Sequence, residues 1–383
     1  MSNVGTAVVG AGFIGPVHIE ALKRLNIHVT GILGVSDEES QRAMTQLALP
    51  KAYRDFDEVL ADETVQAVHI ATPNFLHYDL AKRALNGGKH VLCEKPLAMN
   101  STESAELAAL ARQTGRVAGV NYNLRYYPLC LEMREMARSG ELGEIFSIYG
   151  SYVQDWLLYD TDYNWRVLAE DGGELRAIAD IGTHWLDLAQ AITGLNVESV
   201  CADLKTVHPI RRRPKGEVET FTGKGAAPDD TEAVEVSTED SGSVMLSFAG
   251  GARGNLFVSQ CTAGRKNCLR LEIAGSKRAV AWESERPNEL WIGYRDRPNE
   301  LMLRDPSLVS DAARSFVTLP GGHNEGFSDT FKQCFRSFYT HLQREDVQTP
   351  LTFPTFADGH REILLCEAIA QSHRERQWTT IRE

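Results

Sequence analysis

The sequence has little of what nucleic-acid-binding, membrane or disulfide-stabilised proteins require. Its formal net charge is −12, whereas nucleic acid and anionic membrane surfaces select a basic face. No apolar run reaches the length that spans a bilayer. We therefore expect neither nucleic acid nor a membrane as a partner.

Cysteine is sparse and irregularly spaced. The seven cysteines include no C-x-x-C pair, and their odd number leaves one over from any complete pairing. This pattern predicts reduced thiols and no zinc site. The first strand-like run begins almost at Met1 and leaves no room for a secretory signal, so the expected location is cytoplasmic.

The chain is too long for one ordinary core. Its 383 residues favour two domains, and 43% hydrophobic with 24% charged residues is the balance of a globular protein. The compact basic run Arg211-Arg212-Arg213 stands between Pro209 and Pro214, and this setting predicts a solvated loop.

The stretch from Thr6 to Gly15 joins a buried-type strand to a helix-periodic segment through glycines spaced G-x-G-x-x-G. Gly10 gives the sharp turn its backbone freedom, Gly12 leaves room for a pyrophosphate, and Gly15 lets the helix lie against the strand. The helix N-terminus points free N–H groups at the anion. Because the motif lies between a strand and a helix, it predicts a dinucleotide site; the alternative is a strained turn without a ligand.

The ribose end of that site is ambiguous. A second strand at 27–33 puts Gly34 where dinucleotide folds keep a ribose acid, and the acids at 37–39 come late. Gly34 would leave space for a 2′-phosphate, and Ser36 could bond either cofactor. The acids would repel a phosphate, and no adjacent arginine could clamp one. The residues therefore favour NAD, with NADP left open.

Two further strands end in loops that are expected to line the same site. The strand at 65–71 leads into Thr72-Pro73-Asn74, where Asn74 can cap the next helix. The alternation of strands and helices predicts a parallel doubly wound sheet, in which ligands bind at the carboxyl ends of the strands. Thr72, Asn74 and His77 could therefore line the cofactor, although His77 could equally face solvent on its helix.

The strand at 89–93 delivers Glu94-Lys95-Pro96. Glu94 can hold Lys95 in place, and Pro96 fixes the backbone and can take a cis bond. A lysine held at the carboxyl end of this strand is expected to lie over the nicotinamide.

In these motifs the chain resembles the Gfo/Idh/MocA oxidoreductases. The resemblance rests on Gly10-Ala11-Gly12-Phe13-Ile14-Gly15, on Thr72-Pro73-Asn74 with His77, and on Cys93-Glu94-Lys95-Pro96-Leu97, and it covers essentially the whole chain. The cofactor residues expected from the motifs and the resemblance are Gly10, Gly12, Phe13, Ile14, Gly15, Ser36, Ala71, Thr72, Asn74, His77, Glu94, Lys95 and Asn123.

The expected fold is α/β plus α+β, with an N-terminal doubly wound Rossmann domain at 1–124 and a substrate-binding and oligomerisation domain at 125–383. In the second part, strand-like runs follow one another without alternating helices, which predicts a large, mostly antiparallel sheet. Hairpin turns are predicted at 239–242 and 275–276, and the stretches 209–230 and 294–324 are expected to be irregular. Similar proteins commonly use such a sheet to form oligomers, so a homodimer or homotetramer is expected.

Asp180 and His184 carry the expected chemistry of this second domain. If 181–192 is a helix, the two side chains project from one face, one turn apart. A carboxylate beside an imidazole can orient it and raise its basicity. A helix-capping pair and a metal pair are the alternatives, but no third ligand is evident and no metal is predicted. In the resembled family a lysine and this pair flank the nicotinamide, which implies Lys95, His184 and Asp180 as catalytic residues.

The segment between the first strand of the sheet and that pair is rich in aromatic and polar residues. Trp156, Trp165 and Arg166 suit a polyol, whose hydroxyls want polar partners and whose C–H faces stack on rings; the alternative is that these aromatics are core. The segment 123–128 looks like the family's link between domains, and it adds Asn123 and Arg125 as candidate substrate residues.

The predicted function is hydride transfer between a nicotinamide cofactor and a secondary alcohol of a sugar, inositol or related polyol. Lys95 and His184 would converge on the alcohol oxygen, and Asp180 would hold His184. A catalytically silent NAD(P)-binding regulator and an NAD-assisted glycoside hydrolase of the same fold are the alternatives.

Overall fold

The computed structural model describes residues 4–215, 230–343 and 351–382. The helices are α1 (Ile14–Arg24), α2 (Asp37–Gln46), α3 (Phe56–Ala61), α4 (His77–Asn86), α5 (Ser101–Thr114), α6 (Pro128–Arg138), α7 (Ala169–Gly172), α8 (Thr183–Thr193), α9 (Asp311–Arg314), α10 (Phe327–Leu342) and α11 (Phe356–Glu375). The strands are β1 (Gly5–Val9), β2 (His28–Leu33), β3 (Ala67–Ile70), β4 (His90–Cys93), β5 (Ala118–Val120), β6 (Ile145–Val153), β7 (Val197–Lys205), β8 (Ile210–Pro214), β9 (Thr231–Glu235), β10 (Ser241–Phe248), β11 (Arg253–Ser259), β12 (Cys268–Gly275), β13 (Ala279–Glu283), β14 (Glu289–Gly293), β15 (Glu300–Leu303) and β16 (Thr379–Thr380). By their contacts the residues form two units, Met1–Asn123 with Phe327–Ile363, and Leu124–Gly326 with Leu364–Glu383.

The first unit is built on a five-stranded sheet with the order β2-β1-β3-β4-β5. Each neighbouring pair of strands in it is parallel. All residues of β1 and β3 are buried, as a parallel sheet covered by helices requires. The predicted doubly wound sheet is therefore confirmed, and the carboxyl ends of β1, β3 and β4 present the three motifs at one edge.

The helix α10 also belongs to the first unit, so the structure differs from the predicted division into 1–124 and 125–383. Phe331, Phe335 and Tyr339 of α10 are each at most 2% exposed. The Phe335 ring lies 4.8 Å from the His18 ring of α1, centroid to centroid. An amphipathic pattern shows that a helix has a buried face, but it does not show which distant core that face joins.

The second unit is built on a nine-stranded sheet with the order β15-β14-β13-β12-β6-β11-β10-β7-β16. Strands β6 and β11 are parallel, and the other neighbours are antiparallel. This confirms the predicted large, mostly antiparallel sheet. Its core includes Trp185 of α8, which is fully buried and donates its indole N–H to the Arg270 carbonyl of β12 at 2.8 Å.

Two local predictions for this unit are wrong. The segment 239–242 forms no hairpin, because β9 pairs with β8 in a separate two-stranded sheet while β10 pairs with β7 and β11. Asp240 points inward and accepts the backbone N–H groups of Val207 and His208. The stretches 209–230 and 294–324 contain β8, β15 and α9, and residues 216–229 lie outside the described part. The turn at Gly275-Ser276 is confirmed by the pairing of β12 with β13.

Within the described ranges, no helix combines the length and the apolar character that crossing a membrane requires.

Candidate functional site

In the glycine turn after β1, neighbouring backbone atoms leave no room for a side chain at two of the glycines, whereas the third glycine faces open space. Gly10 has a φ of 110°, and a Cβ there would lie 2.4 Å from the carbonyl oxygen of Ala71. A Cβ on Gly15 would lie 2.0 Å from the carbonyl oxygen of Gly10. A Cβ on Gly12 would meet no described atom within 4 Å, so packing within the protein does not require glycine there. This open position is what the close approach of a pyrophosphate needs.

The N-terminus of α1 fits an anion in the same place. The helix begins at Ile14, and its cap residue Phe13 makes no side-chain cap hydrogen bond. The N–H groups of Ile14 and Gly15 have no partner within the helix and can face a phosphate, while Phe13 is 50% exposed beside them. The hydroxyl of Thr72 is buried and has no hydrogen-bond partner among the described residues, which leaves a polar group for a ligand to satisfy. The residues present thus fit a dinucleotide.

A carboxylate lies at the end of β2, but it comes from α2. Glu39 Oε2 accepts the backbone N–H of Val35 at 2.6 Å, and a Cβ on Gly34 would lie 2.7 Å from the same oxygen. Gly34 therefore leaves no empty space of its own. Ser36 caps α2 by accepting the backbone N–H of Glu39 at 3.2 Å. The acids at 37–39 were predicted as a group, and S-x-x-E, the signal of a capping box, distinguishes Glu39 from the other two.

His77 links the loop that follows β3 to the loop that follows β4. Its ring is fully buried, with Nδ1 2.7 Å from the Pro96 carbonyl oxygen and Nε2 3.0 Å from that of Thr72. Burial lowers the pKa of His77, against the opposing effect of its two carbonyl partners. The alternative that His77 faces solvent is thus wrong, because the buried ring lies within hydrogen-bonding distance of both loops. The Lys95–Pro96 peptide bond is cis.

Glu94 fixes the corner that carries Lys95. Its Oε1 accepts from His18 Nε2 at 3.0 Å and from Asn121 Nδ2 at 2.5 Å, and its Oε2 accepts the backbone N–H of Lys95 at 3.3 Å. Burial acts to raise the pKa of Glu94, but the hydrogen bond and charge of His18, with smaller effects of Lys95 and Asn121, lower it to about 2. Glu94 is therefore a buried carboxylate that holds the backbone of Lys95.

Three other predicted cofactor residues have clear positions in the first unit. Ala71 follows β3 and donates its backbone N–H to the Val9 carbonyl at 2.7 Å, and Asn74 begins a short 3₁₀ turn ahead of α4. Asn123 is 2% exposed and donates from Nδ2 to the Thr330 hydroxyl of α10 at 2.7 Å. This bond gives Asn123 a packing role in the first unit.

Asp180 lies inside a π-helical turn that leads into α8, which corrects the predicted start of the helix at 181. The turn spans Ile178–Gly182, and α8 follows from Thr183. The Thr183 N–H donates to the Ile178 carbonyl, and the Thr183 hydroxyl donates to the Ala179 carbonyl at 2.9 Å. The sequence could not show this because one π turn leaves the apolar pattern intact. Such turns often occur at functional sites.

The Asp180 carboxylate lies among polar partners from two elements. Its Oδ1 is 3.5 Å from Arg166 Nε, and its Oδ2 accepts from Gln260 Nε2 at 3.1 Å. The Arg166 guanidinium lies 4.4 Å above the Trp165 ring. His184 is 8% exposed on α8, with its ring 6.4 Å from the Tyr152 ring. The structure thus brings Asp180 together with two predicted substrate residues, Trp165 and Arg166.

The other two substrate candidates have protein partners. The indole N–H of Trp156 donates to Gln154 Oε1, and the ring packs partly against the Leu157 cluster. Arg125 makes a two-pronged ion pair with the buried Asp187, from Nε to Oδ2 at 2.8 Å and from Nη2 to Oδ1. This pairing neutralises the charge that a substrate contact of Arg125 would use.

Arg211 does not lie in a solvated loop, so the prediction for it is wrong. It is fully buried, whereas a solvated loop was predicted. Its Nη1 donates to the carbonyls of Tyr159 and Asp162, both at 2.8 Å, and its Nη2 donates to the carbonyl of Leu157 at 3.0 Å and to Asp240 Oδ1 at 2.6 Å. A guanidinium can be buried here because a carboxylate and three carbonyls surround it. Arg211 therefore holds the loop between Trp156 and Trp165.

Comparison with known proteins bears on these two sites. The family described as "Oxidoreductase family, NAD-binding Rossmann fold" matches residues 4–122, and the one described as "GFO/IDH/MocA C-terminal domain" matches residues 130–281. Levoglucosan dehydrogenase of Pseudarthrobacter phenanthrenivorans is 26% identical over 407 aligned residues, which cover 100% of this chain and 99% of that protein.

Solved structures agree over the whole chain. A levoglucosan dehydrogenase in complex with NADH and levoglucosan is 26% identical, with a TM-score of 0.87 and 100% of both chains covered. An inositol dehydrogenase homologue from Azotobacter vinelandii, complexed with NADH and myo-inositol, is 23% identical, with a TM-score of 0.86 and 99% and 98% of the chains covered, and supports the fold. Since both parts of the chain match, the protein belongs to the Gfo/Idh/MocA family of oxidoreductases, with an NAD-binding Rossmann fold.

Proposed function

We propose that the protein is an NAD-dependent dehydrogenase acting on a secondary alcohol of a sugar, an inositol or a related polyol. The observation that carries the proposal is Lys95, which stands at the carboxyl end of β4 on a corner fixed by Glu94, in the unit with the open glycine turn. The substrate class is supported by levoglucosan dehydrogenase, a relative that matches this chain over its full length. Its substrate, levoglucosan, is an anhydrosugar.

Each side chain has a task in this proposal. Gly12, Thr72 and the first turn of α1 bind the dinucleotide, and the nicotinamide supplies the hydride acceptor when bound. Lys95 donates a hydrogen bond to the alcohol oxygen and stabilises the charge that develops there. His184 takes the hydroxyl proton as general base, and Asp180 orients His184. The Asp180 carboxylate lies 3.5 Å from Arg166 Nε.

Turnover and binding must be measured separately to test this. NADH fluorescence should show binding, and absorbance should show reduction of NAD when a panel of anhydrosugars, inositols and hexoses is supplied. Binding without turnover on any member would favour a silent cofactor-binding regulator. Cleavage of a glycoside without net NADH would favour transient use of the cofactor, so products should be followed by mass spectrometry as well.

We also propose that the protein forms a homodimer or homotetramer through the open face of the nine-stranded sheet. Large apolar side chains lie exposed along that face: Tyr149 37%, Met245 50%, Phe257 43%, Leu301 56% and Leu303 55%. In β10 the buried and exposed positions alternate, so one side of the sheet is core and the other is uncovered. Light scattering should give the mass of an oligomer for the wild type and of a smaller species for Phe257→Asp.

A cytoplasmic location is the last part of the proposal. All seven cysteines lie in the described residues, none is in a disulfide, and five are buried. Burial raises the pKa of Cys93 and Cys130, which keeps these thiols protonated and unreactive. Fractionation of cells that produce the protein should recover it in the cytoplasmic fraction, with its cysteines as thiols.

A further inference from the structure

A continuous chain of buried hydrogen bonds begins at Glu94 and crosses the first unit. From Glu94 Oε1 it passes to His18 Nε2 at 3.0 Å, and from His18 Nδ1 to His69 Nδ1 at 2.9 Å. It continues from His69 Nε2 to the Tyr339 hydroxyl at 2.9 Å and ends at the Thr6 hydroxyl at 2.7 Å. The chain therefore links the corner of Lys95 to α1, β3 and α10.

The members of this chain are sealed from solvent. His18, His69 and Thr6 are fully buried, Tyr339 is 2% exposed and Glu94 is 7% exposed. The two imidazoles meet edge to face, and Phe331 and Phe335 of α10 close around them. Polar groups in such a place are costly unless each donor meets an acceptor. Packing alone would be served better by apolar residues.

The donors and acceptors match in two ways. Because Glu94 is a carboxylate, His18 Nε2 donates to it. In one arrangement His18 Nδ1 accepts from His69, which accepts from Tyr339, which accepts from Thr6. In the other, the direction is reversed from His18 to Thr6, so that His18 donates from both of its ring nitrogens. Glu94 keeps its donor in both arrangements.

We propose that His18 is a positioning residue for Lys95, and that His69 and Tyr339 hold His18 in this role. His18 fixes the Glu94 carboxylate, and the carboxylate fixes the backbone N–H of Lys95. The assignment rests on the proposed dehydrogenase function, because it gives Lys95 its work. His18 touches neither cofactor nor substrate in this proposal, and acts through Glu94.

The pH dependence of this support follows from the charges around Glu94. In the wild type the lowered pKa of Glu94 keeps it ionised throughout the neutral range. Without His18, burial raises that pKa, and the carboxylate is lost as the pH falls through the higher value. Four titratable groups act directly on Glu94: His18 from α1, its chain neighbours Cys93 and Lys95, and His77 from α4. His69 and Tyr339 follow further along the chain of hydrogen bonds.

The experiment compares His18→Leu, His18→Gln and a matched control. Leucine removes the donor to Glu94, whereas glutamine keeps a side-chain N–H. His90→Leu is the control, because His90 lies at the other end of β4 and accepts the Val117 N–H at 2.9 Å. We expect His18→Leu to lower kcat by ~100-fold with little change in KM, and to add an acid limb to the pH profile. Glutamine should recover most of kcat and remove the limb.

A double-mutant cycle separates positioning from a general loss of packing. If His18 acts through Glu94, the double variant His18→Leu with Glu94→Gln should be no slower than the slower single variant. Losses in kcat that multiply, or a His18→Leu profile that matches His90→Leu, would overturn the proposal. Should the leucine variant fail to fold, His18→Gln with Glu94→Gln gives the same cycle.

The proposal remains testable if the wild type oxidises no polyol. In that case the dehydrogenase function fails, and NADH affinity measured by fluorescence becomes the readout. Between about pH 8 and about pH 5, NADH binding should weaken in His18→Leu and stay constant in the wild type and His90→Leu. Equal pH dependence in the three proteins would remove the role of His18.

Discussion

The carboxylate of Glu39 is bound to the backbone nitrogen of Val35, with an O–N distance of 2.6 Å. Glu39 is the third residue of α2 and Ser36 is its cap, so the side chain folds back over the helix N-terminus. It reaches the end of β2, where dinucleotide folds keep an acid for the adenosine ribose. The capping interaction thus places a negative charge where NADP would carry its 2′-phosphate.

Replacing Glu39 should change the preference between cofactors. Glu39→Gln keeps the size of the side chain and an oxygen for the Val35 N–H, but removes the charge. We expect NADPH to gain affinity relative to NADH by roughly 5-fold, or about 1 kcal/mol, because the site is partly open to solvent. Fluorescence titration with both cofactors measures the ratio. The control is Glu38→Gln, and an equal shift in that variant would show a general charge effect.

The glycine turn offers a separation of binding from folding. Gly12→Ala adds a methyl group to open space, so the melting temperature should stay near that of the wild type. NADH affinity should fall by ~10-fold or more, because the methyl group occupies the place of the pyrophosphate. Calorimetry and fluorescence titration measure the two effects independently.

Gly15→Ala is the matched comparison for that variant. Its methyl group would clash with the Gly10 carbonyl, so the melting temperature should fall. If Gly12→Ala binds NADH as the wild type does, the pyrophosphate is not at this turn.

The sequence alone predicts those parts of the first unit whose structure is set by residues close together in the chain. The strand, the glycine spacing and the helix pattern all lie between Thr6 and Arg24, and the structure agrees with them. The fate of α10 was not predictable in the same way. Its aromatic face is visible in the sequence, but its partners His18 and His69 lie about 300 residues away along the chain, and no periodicity carries that information.

The same limit explains the errors at the second site. Arg211-Arg212-Arg213 between prolines is typical of a loop, yet the structure buries one arginine of the three on Asp240 and three carbonyls. A buried cation is decided by partners that fold around it, and these come from separate segments. Asp180 was found because it lies four residues from His184, but the π turn that holds it depends on backbone geometry.

Removal of the Lys95 or His184 side chain is expected to lower turnover far more than it lowers NADH affinity. Lys95→Ala and His184→Ala should each lower kcat by at least ~100-fold, since each removes a group that acts on the alcohol oxygen. NADH should still bind, as fluorescence can show. The control is Lys82→Ala, whose lysine forms a surface ion pair with Glu106 on α5. Near-wild-type turnover in both site variants would remove the proposed mechanism.

Arg211 should affect the substrate more than the cofactor. It holds the carbonyls of Leu157, Tyr159 and Asp162, and the loop they form runs between Trp156 and Trp165. Arg211→Lys keeps the charge on Asp240 but cannot reach all three carbonyls, because an ammonium group lacks the planar fork of a guanidinium. We expect KM for the polyol to rise about 10-fold, or ~1.4 kcal/mol, with unchanged NADH affinity.

The neighbouring arginine makes the comparison specific. Arg212 is exposed and forms a 3.5 Å pair with Asp160 at the surface, so Arg212→Lys should leave KM unchanged. Both variants are read by steady-state kinetics, with a melting curve to confirm that each protein is folded. If Arg211→Lys is folded and has the KM of Arg212→Lys, then the loop that Arg211 holds does not shape the substrate site. A rise in KM for Arg211→Lys alone would mean that the first arginine of a basic run sets how the polyol is held.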